Sequence, residues 1–233
     1  MELPWTKEVS PIYGMDPVSD GDIIRDLREI GVEHRYQADC TLPLENDVSK
    51  FVLSITKGYG SVNQILRNGS SVTLGFCGPG DLIGFVMLNN PGVEFRCLSN
   101  VEAIRFPARQ LRDLWQTHPK LQALFFAILD KRVQEMHNHI IALASHSAQR
   151  RVASFLIDRP WFGSAESGLR NTNDEIRLPL LRSEIASHLG LTQETVSREL
   201  RGLARAGIIK HTYRNHISIL LPESLRDISR GCT

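Results

Sequence analysis

The spacing of apolar positions changes several times along the chain, and each change predicts a different kind of element. Across residues 22–30, Ile23, Leu27 and Ile30 recur at helical spacing and Gly31 supplies a stop, so a short helix is expected. Ahead of it, residues 1–20 set Pro4, Pro11, Gly14 and Pro17 among polar side chains and read as an irregular lead-in. Over residues 32–106 the runs become short, β-type and broken by glycine. The run 51–56 closes at Lys57-Gly58, the run 61–66 leads into Arg67-Asn68-Gly69-Ser70, and the run 72–76 resumes beyond it. An Asn-Gly pair between two such runs is a hairpin signal, because both residues tolerate the positive φ of a tight turn. Gly78-Pro79-Gly80-Asp81 marks a further turn, and residues 101–106 a last strand. Regularly spaced short strands predict a small antiparallel barrel or sandwich, bounded here as residues 21–118.

Pro119 opens a second helical stretch. Its seam, Phe126, Leu129, Val133, Met136, Ile140 and Leu143, steps by 3, 4, 3, 4 and 3. That is the a/d pattern by which a helix pairs with a copy of itself, so residues 119–145 are expected to form a dimerisation helix roughly 40 Å long. The plainer alternative is a buried core helix of a monomer. A further helix, with Val152, Phe155 and Leu156 on its apolar face, breaks at Asp158-Arg159-Pro160 before a polar loop through Asn173.

Residues 182–200 read as a short helix, a turn and a second helix. Ala186 is small where two helices would cross, and Gly190 stands where the turn needs positive φ. Ile185, Leu189, Leu191, Val196 and Leu200 supply the apolar side. Thr192 is placed as N-cap of the second helix, with Thr195 rather than Glu at the reciprocal position, so the cap is single-sided. Each feature also fits an ordinary helical hairpin; at these offsets together they predict a helix-turn-helix, within a C-terminal domain over 146–233.

The second helix presents Gln193, Glu194, Ser197 and Arg198 on its first turns, with Glu194 and Arg198 four apart on one face. A carboxylate accepts from cytosine N4, and a guanidinium forks onto guanine O6 and N7. The pair therefore suits G·C readout, with Ser197 beside a neighbouring base; its plain alternative is an i,i+4 salt bridge worth a few tenths of a kcal/mol. Residues 207–210 and 215–220 alternate like a hairpin, a wing whose tip is Tyr213-Arg214-Asn215. Lys210, His211 and Arg214 are placed to meet phosphates, and Thr192, Thr195 and Arg201 complete the expected DNA-binding set.

Charge supports this division. The 233 residues sum to +1, but residues 1–146 hold 14 Lys/Arg against 17 Asp/Glu, and residues 147–233 hold 13 against 9. A basic C-terminal third on a mildly acidic body is expected where one end meets phosphate. Cys40, Cys77, Cys97 and Cys232 form no CxxC pair and suit neither a zinc site nor a disulfide framework. The N-terminal residues lack the apolar core of a signal peptide, and no run approaches the roughly 18 apolar residues of a membrane span, so a cytoplasmic protein without a membrane partner is expected.

The order of these parts resembles the Crp/Fnr superfamily of bacterial transcription regulators. The matching residues are 74–84 in the strand-rich region, Ser147-Ala148-Gln149-Arg150-Arg151-Val152-Ala153 after the long helix, and 185–198 with Gly207-Ile208-Ile209. The resemblance covers about residues 50–221. It implies an α+β chain with an N-terminal antiparallel β-roll of the cyclic-nucleotide-binding type, a long dimerisation helix and a C-terminal winged helix-turn-helix. Double-stranded DNA, a second copy of the chain and RNA polymerase are the partners it implies, and activation the commoner outcome. Glu194-Thr195-Val196-Ser197-Arg198 is similar to the Fnr-type reading head, which implies TTGA-like half-sites in an inverted pair.

The chain also departs from the pattern. Cyclic-AMP-binding members grip the ribose with a Gly-Glu pair and the phosphate with an Arg-Ser pair. Here Phe85 follows Gly84 and no Arg-Ser pair precedes Val101, although Arg96 is a displaced basic group. An unpaired buried phosphate is costly, so cyclic AMP is disfavoured. The first cysteine is Cys40, so the N-terminal cluster of oxygen-sensing members is missing and an iron–sulfur cluster is disfavoured too. Haem or another small effector stays open, with no cofactor predicted. His137 and His139, two apart, point to different helix sides and read as solvated or interface residues. Cys77 and Cys97 read as small core hydrophobes before redox reporters, and Phe125 and Phe126 as packing. The rival from another class is a small-molecule-binding or enzymatic β-roll with a merely structural C-terminal part; no nucleophile–base set or phosphate-cradling loop supports an enzyme.

Overall fold

The structure is a computed structural model that describes residue 15 and residues 19–44, 51–84, 92–157, 175–177, 181–211 and 216–231. It divides into two compact units, residues 1–133 and 134–233. The division falls inside one continuous helix, where the sequence suggested separate blocks at 21–118, 119–145 and 146–233.

The first unit opens with α1 (Gly21–Ile30) and is built on two four-stranded antiparallel sheets. One sheet has the order β1 (Val32–Tyr36), β8 (Val101–Pro107), β3 (Phe51–Lys57), β6 (Leu82–Ile83). The other has the order β2 (Thr41–Pro43), β7 (Val93–Cys97), β4 (Gly60–Ile65), β5 (Ser71–Cys77). Leu53, Ile55, Val101 and Ala103 of the first sheet share a core with Val62, Phe95 and Cys97 of the second. On its other face Val52, Ile104 and Phe106 pack with Ile23, Ile24 and Leu27 of α1, Leu111 of α2 (Ala108–Thr117), and Leu121 and Phe125 of α3 (Pro119–Ser145). A sheet covered on both sides needs apolar residues at consecutive positions, which is why 51–56 reads as a run rather than an alternation. Gly60 of β4 makes room within the second sheet for its neighbour on β7: a Cβ there would stand 2.1 Å from the Phe95 ring.

The Asn-Gly hairpin forms as expected, with Ile65 paired to Ser71 and Gly69 at φ 80°. Its turn is longer than the two-residue kind. Leu66 N–H donates to Ser70 O at 2.8 Å, and Asn68 Oδ1 accepts from Ser70 N–H.

The second unit holds the end of α3, α4 (Ala148–Ile157), α5 (Arg182–Leu189), α6 (Gln193–Arg205) and α7 (Pro222–Arg230). Its small antiparallel sheet has the order β10 (Ile209–His211), β11 (His216–Ile219), β9 (Glu175–Arg177), one strand more than the predicted hairpin. Val152, Phe155 and Leu156 are buried on α4, as the sequence suggests, and Leu225 of α7 is fully buried. Arg151 ties the pieces together. Its guanidinium donates to Leu143 O and His146 O at the end of α3 and to Leu189 O at the end of α5, each at 3.0 Å. A cation on terminal carbonyls complements the negative ends of both helix dipoles. Arg150 does the same for α7 through Ser229 O at 2.9 Å. The lead-in over 1–14, the break at Asp158-Arg159-Pro160 and the wing tip at Tyr213-Arg214-Asn215 lie outside the described residues.

Candidate nucleic-acid interface

The turn between α5 and α6 is made by backbone chemistry. Gly190 adopts φ 60°, ψ 39°, the left-handed conformation a side chain would strain. Leu191 N–H donates to Ala186 O at 2.9 Å and Gly190 N–H to Ser187 O at 3.4 Å, which satisfies the last carbonyls of α5. At the other end of α5 the Glu184 carboxylate accepts from Leu181 N–H at 2.8 Å, half of a capping box, because Leu181 offers no side-chain acceptor. Thr192 caps α6 as predicted: its Oγ1 accepts from Thr195 N–H at 3.1 Å. Losing such a cap costs about 1 kcal/mol.

With its start fixed, α6 has two faces. Val196, Leu200 and Leu203 are buried, while Gln193, Glu194, Arg198, Arg201 and Arg205 are exposed, as is Thr192 before them. Thr195 and Ser197 are half-buried. Thr192, Gln193, Glu194, Arg198 and Arg201 of the expected set are thus all exposed. Glu194 and Arg198 do not pair; Arg198 instead donates from Nε and Nη2 to Glu199 Oε1 at 3.2 and 3.1 Å. An arginine is long enough to fold back onto the next residue, and Glu199 lies closer to the buried side, with its side chain 19% exposed. Glu194 has no ion pair among the described residues.

Two contacts on this surface were not anticipated. Arg182, at the start of α5, donates to Ser197 Oγ at 3.4 Å, and Arg201 Nε donates to Ser197 O at 3.1 Å. Ser197 is therefore held between two guanidinium groups. Arg182 carries no periodic signal in the sequence, since the link depends on how α5 crosses α6. Lys210 is exposed on β10, and the side chains of His211 and Arg214 lie outside the described residues.

On α3, Phe126, Val133, Met136 and Ile140 are 58%, 49%, 64% and 59% exposed; Leu143 is exposed and Leu129 half-buried. Within the chain the helix buries Leu121 and Phe125 and not its heptad seam. His139 stacks on buried His188 with ring centroids 4.3 Å apart, and His137 is exposed. Cys40, Cys77 and Cys97 are free thiols. Among the described residues no three His, Cys, Asp or Glu side chains gather as a metal site, and no helix is long and apolar enough to cross a membrane.

Comparison with known proteins agrees with this architecture. A Crp-like helix-turn-helix domain matches residues 150–228 and a cyclic nucleotide-binding domain matches residues 33–118. The nitrogen fixation regulation protein FixK of Bradyrhizobium diazoefficiens is 25% identical over 190 residues, 82% of this chain and 79% of that protein. The transcriptional activator protein FnrL of Cereibacter sphaeroides is 27% identical over 205 residues, 86% and 81% of the two chains. Among solved structures, FixK2 from Bradyrhizobium japonicum shares the fold with a TM-score of 0.75 at 22% identity, over 85% of this chain and 97% of that one. The chain belongs to the Crp/Fnr family of transcription regulators, with a DNA-binding helix-turn-helix behind a domain of the cyclic-nucleotide-binding type.

Proposed function

We propose that the protein is a homodimeric activator that reads an inverted repeat of TTGA-like half-sites. The observation that carries this reading is the exposed start of α6, where Gln193, Glu194 and Arg198 stand out beside a capped N-terminus while Val196, Leu200 and Leu203 anchor the opposite face. In this reading α6 enters the major groove, Glu194 accepts from a cytosine N4, Arg198 forks onto a guanine, and Ser197 lies against a neighbouring base. Thr192, Thr195, Arg201 and Lys210 meet phosphates and set the register, and Arg214 joins them from the wing. The exposed α3 seam from Phe126 to Leu143 pairs two copies, which sets two α6 helices in major grooves about 34 Å apart.

Activation proceeds in this proposal through contact with RNA polymerase; FixK and FnrL bear names of a regulator and an activator. The surroundings of Arg96 support leaving a cyclic nucleotide out of this reading. Arg96, the displaced basic group, alternates with the buried Val93, Phe95 and Cys97 and so lies on the outer side of β7, where it is bound to Asp39 at 2.7 Å. The rival reading, an enzyme on the β-roll, loses its ground because the relatives are transcription regulators.

Selection of bound sequences from a random DNA library by the purified protein tests the reading. An inverted TTGA-like repeat is expected; enrichment of an unrelated motif would overturn the assignment of Glu194 and Arg198.

A further inference from the structure

Where β1 passes into β2 the chain meets the end of β7 in a bulge. Asp39 N–H donates to Cys97 O at 2.8 Å, Cys97 N–H donates to Cys40 O at 2.8 Å, and Cys40 N–H closes a turn onto Gln37 O at 3.2 Å. Two residues, Asp39 and Cys40, thus oppose the single residue Cys97. Asp39 takes the positive φ, 64°, that the first position of such a bulge requires; it is the one residue other than glycine with this conformation among those described. The bulge sets Cys40 opposite Cys97, and both side chains enter the same apolar cluster between the sheets. Directly opposed residues in antiparallel strands have Cα atoms about 4.5–5.5 Å apart, within the range of about 4.4–6.8 Å that a disulfide spans.

The two thiols differ in what reaches them. Cys97 is fully buried, and burial, followed by the neighbouring Cys40, pushes its thiol up to about 12. Cys40 is half-buried. Cys77 shares the cluster but is excluded as a partner. Gly60 of β4 pairs with Cys97 on one side and Cys77 on the other, which separates those cysteines by two strand spacings, about 10 Å.

We infer that Cys40 and Cys97 are a thiol pair that closes into an intrachain disulfide when the protein meets a peroxide. The Cys40 thiolate attacks one peroxide oxygen, the O–O bond breaks, and hydroxide leaves and takes the thiol's proton as water. The Cys40 sulfenic acid formed is then attacked by the Cys97 sulfur; the S–S bond forms, the S–O bond breaks, and the hydroxyl departs with the Cys97 proton as a second water. Two thiols lose two electrons and one peroxide is reduced to two waters. The accessible cysteine attacks first and the buried one resolves. The bulge places the pair at the junction of β1, β2 and β7, where Arg96 and Asp39 already bridge the same strands at 2.7 Å.

The test is peroxide treatment of the reduced full-length chain, alkylation, trypsin digestion and non-reducing mass spectrometry. The digestion separates the three relevant cysteines into residues 36–50, 68–96 and 97–105. The expected product is one linked species of 36–50 with 97–105, two hydrogens lighter than the sum of its parts and reversed by dithiothreitol. In Cys97→Ser a dimedone adduct should collect on Cys40, and in Cys40→Ser residue 97 should stay reduced over the same time. Because replacing the buried Cys97 can disturb the core, the wild-type result decides. A link through Cys77 or Cys232, a sulfinic acid on Cys40 without a link, or no oxidation would each overturn the inference.

Discussion

Arg198 is held by Glu199, not by Glu194: both Nε and Nη2 of the guanidinium point to one carboxylate oxygen of the next residue. The side chain proposed to read a guanine is thus engaged in the free chain and must exchange one acceptor for another on DNA. A partly exposed pair of this kind is worth about 1 kcal/mol. Glu199→Gln should therefore tighten binding to the matched site by up to roughly fivefold at fixed salt, read by fluorescence anisotropy. Weaker binding would show that Glu199 orients Arg198 rather than restrains it.

Arg151 closes three terminal carbonyls with one guanidinium. Replacing it with alanine leaves helix ends with fewer partners and should cost about 2 kcal/mol of stability, measured by urea unfolding. Arg151→Lys should recover only part of this, because an ammonium is a point charge and cannot reach three carbonyls in a fork.

The exposed seam of α3 makes its own prediction. Met136→Glu or Ile140→Glu would place charge in the middle of the proposed dimer contact while altering surface positions of the single chain. Sedimentation should then report a monomer that keeps its helical circular dichroism. A variant that stayed dimeric would move the dimer contact elsewhere.

Acid should weaken the fold through His146. Burial, then Arg150 and Arg151, hold its folded-state pKa below the ordinary 6.5. As pH falls the unfolded chain takes the proton first, so the stability tied to the neutral imidazole is complete above the ordinary value and is lost as pH drops below it toward the folded one. Its buried Nδ1 has no hydrogen-bond partner among the described residues. His146→Gln should make the fall in urea midpoint between about pH 7.5 and about pH 5.5 shallower than in the wild type. An unchanged slope would assign the acid sensitivity to other groups.

The helix-turn-helix was legible because its chemistry is local. The Thr192 cap, the Gly190 turn and the apolar positions of α6 all lie within a few residues of one another, and the structure has them as read. The strand-rich region was legible as a texture, but its pairing was not. That the runs at 51–56 and 101–106 have two covered faces depends on α1, α2 and α3 lying against them. Helix α2 was readable in the spacing of Ala108, Leu111 and Leu114 but lay hidden between stronger signals. Helix α7 rests chiefly on one buried residue, Leu225, too little for a periodic reading. Partnerships such as His139 with His188, Cys40 with Cys97 and Arg182 with Ser197 join residues that only the folded chain brings together. The plain alternative of a Glu194–Arg198 salt bridge is not what forms, because spacing shows which residues share a face, not which acceptor a long side chain chooses.

Base reading by α6 is best tried by measuring wild type and Arg198→Ala on the selected site and on copies with single base pairs changed, at one salt concentration. Arg198→Ala should cost about 1–3 kcal/mol on the intact site and lose its preference at one base pair per half-site, while Lys210→Ala should weaken every sequence alike. An equal loss for Arg198→Ala on every sequence would contradict the role given to Arg198.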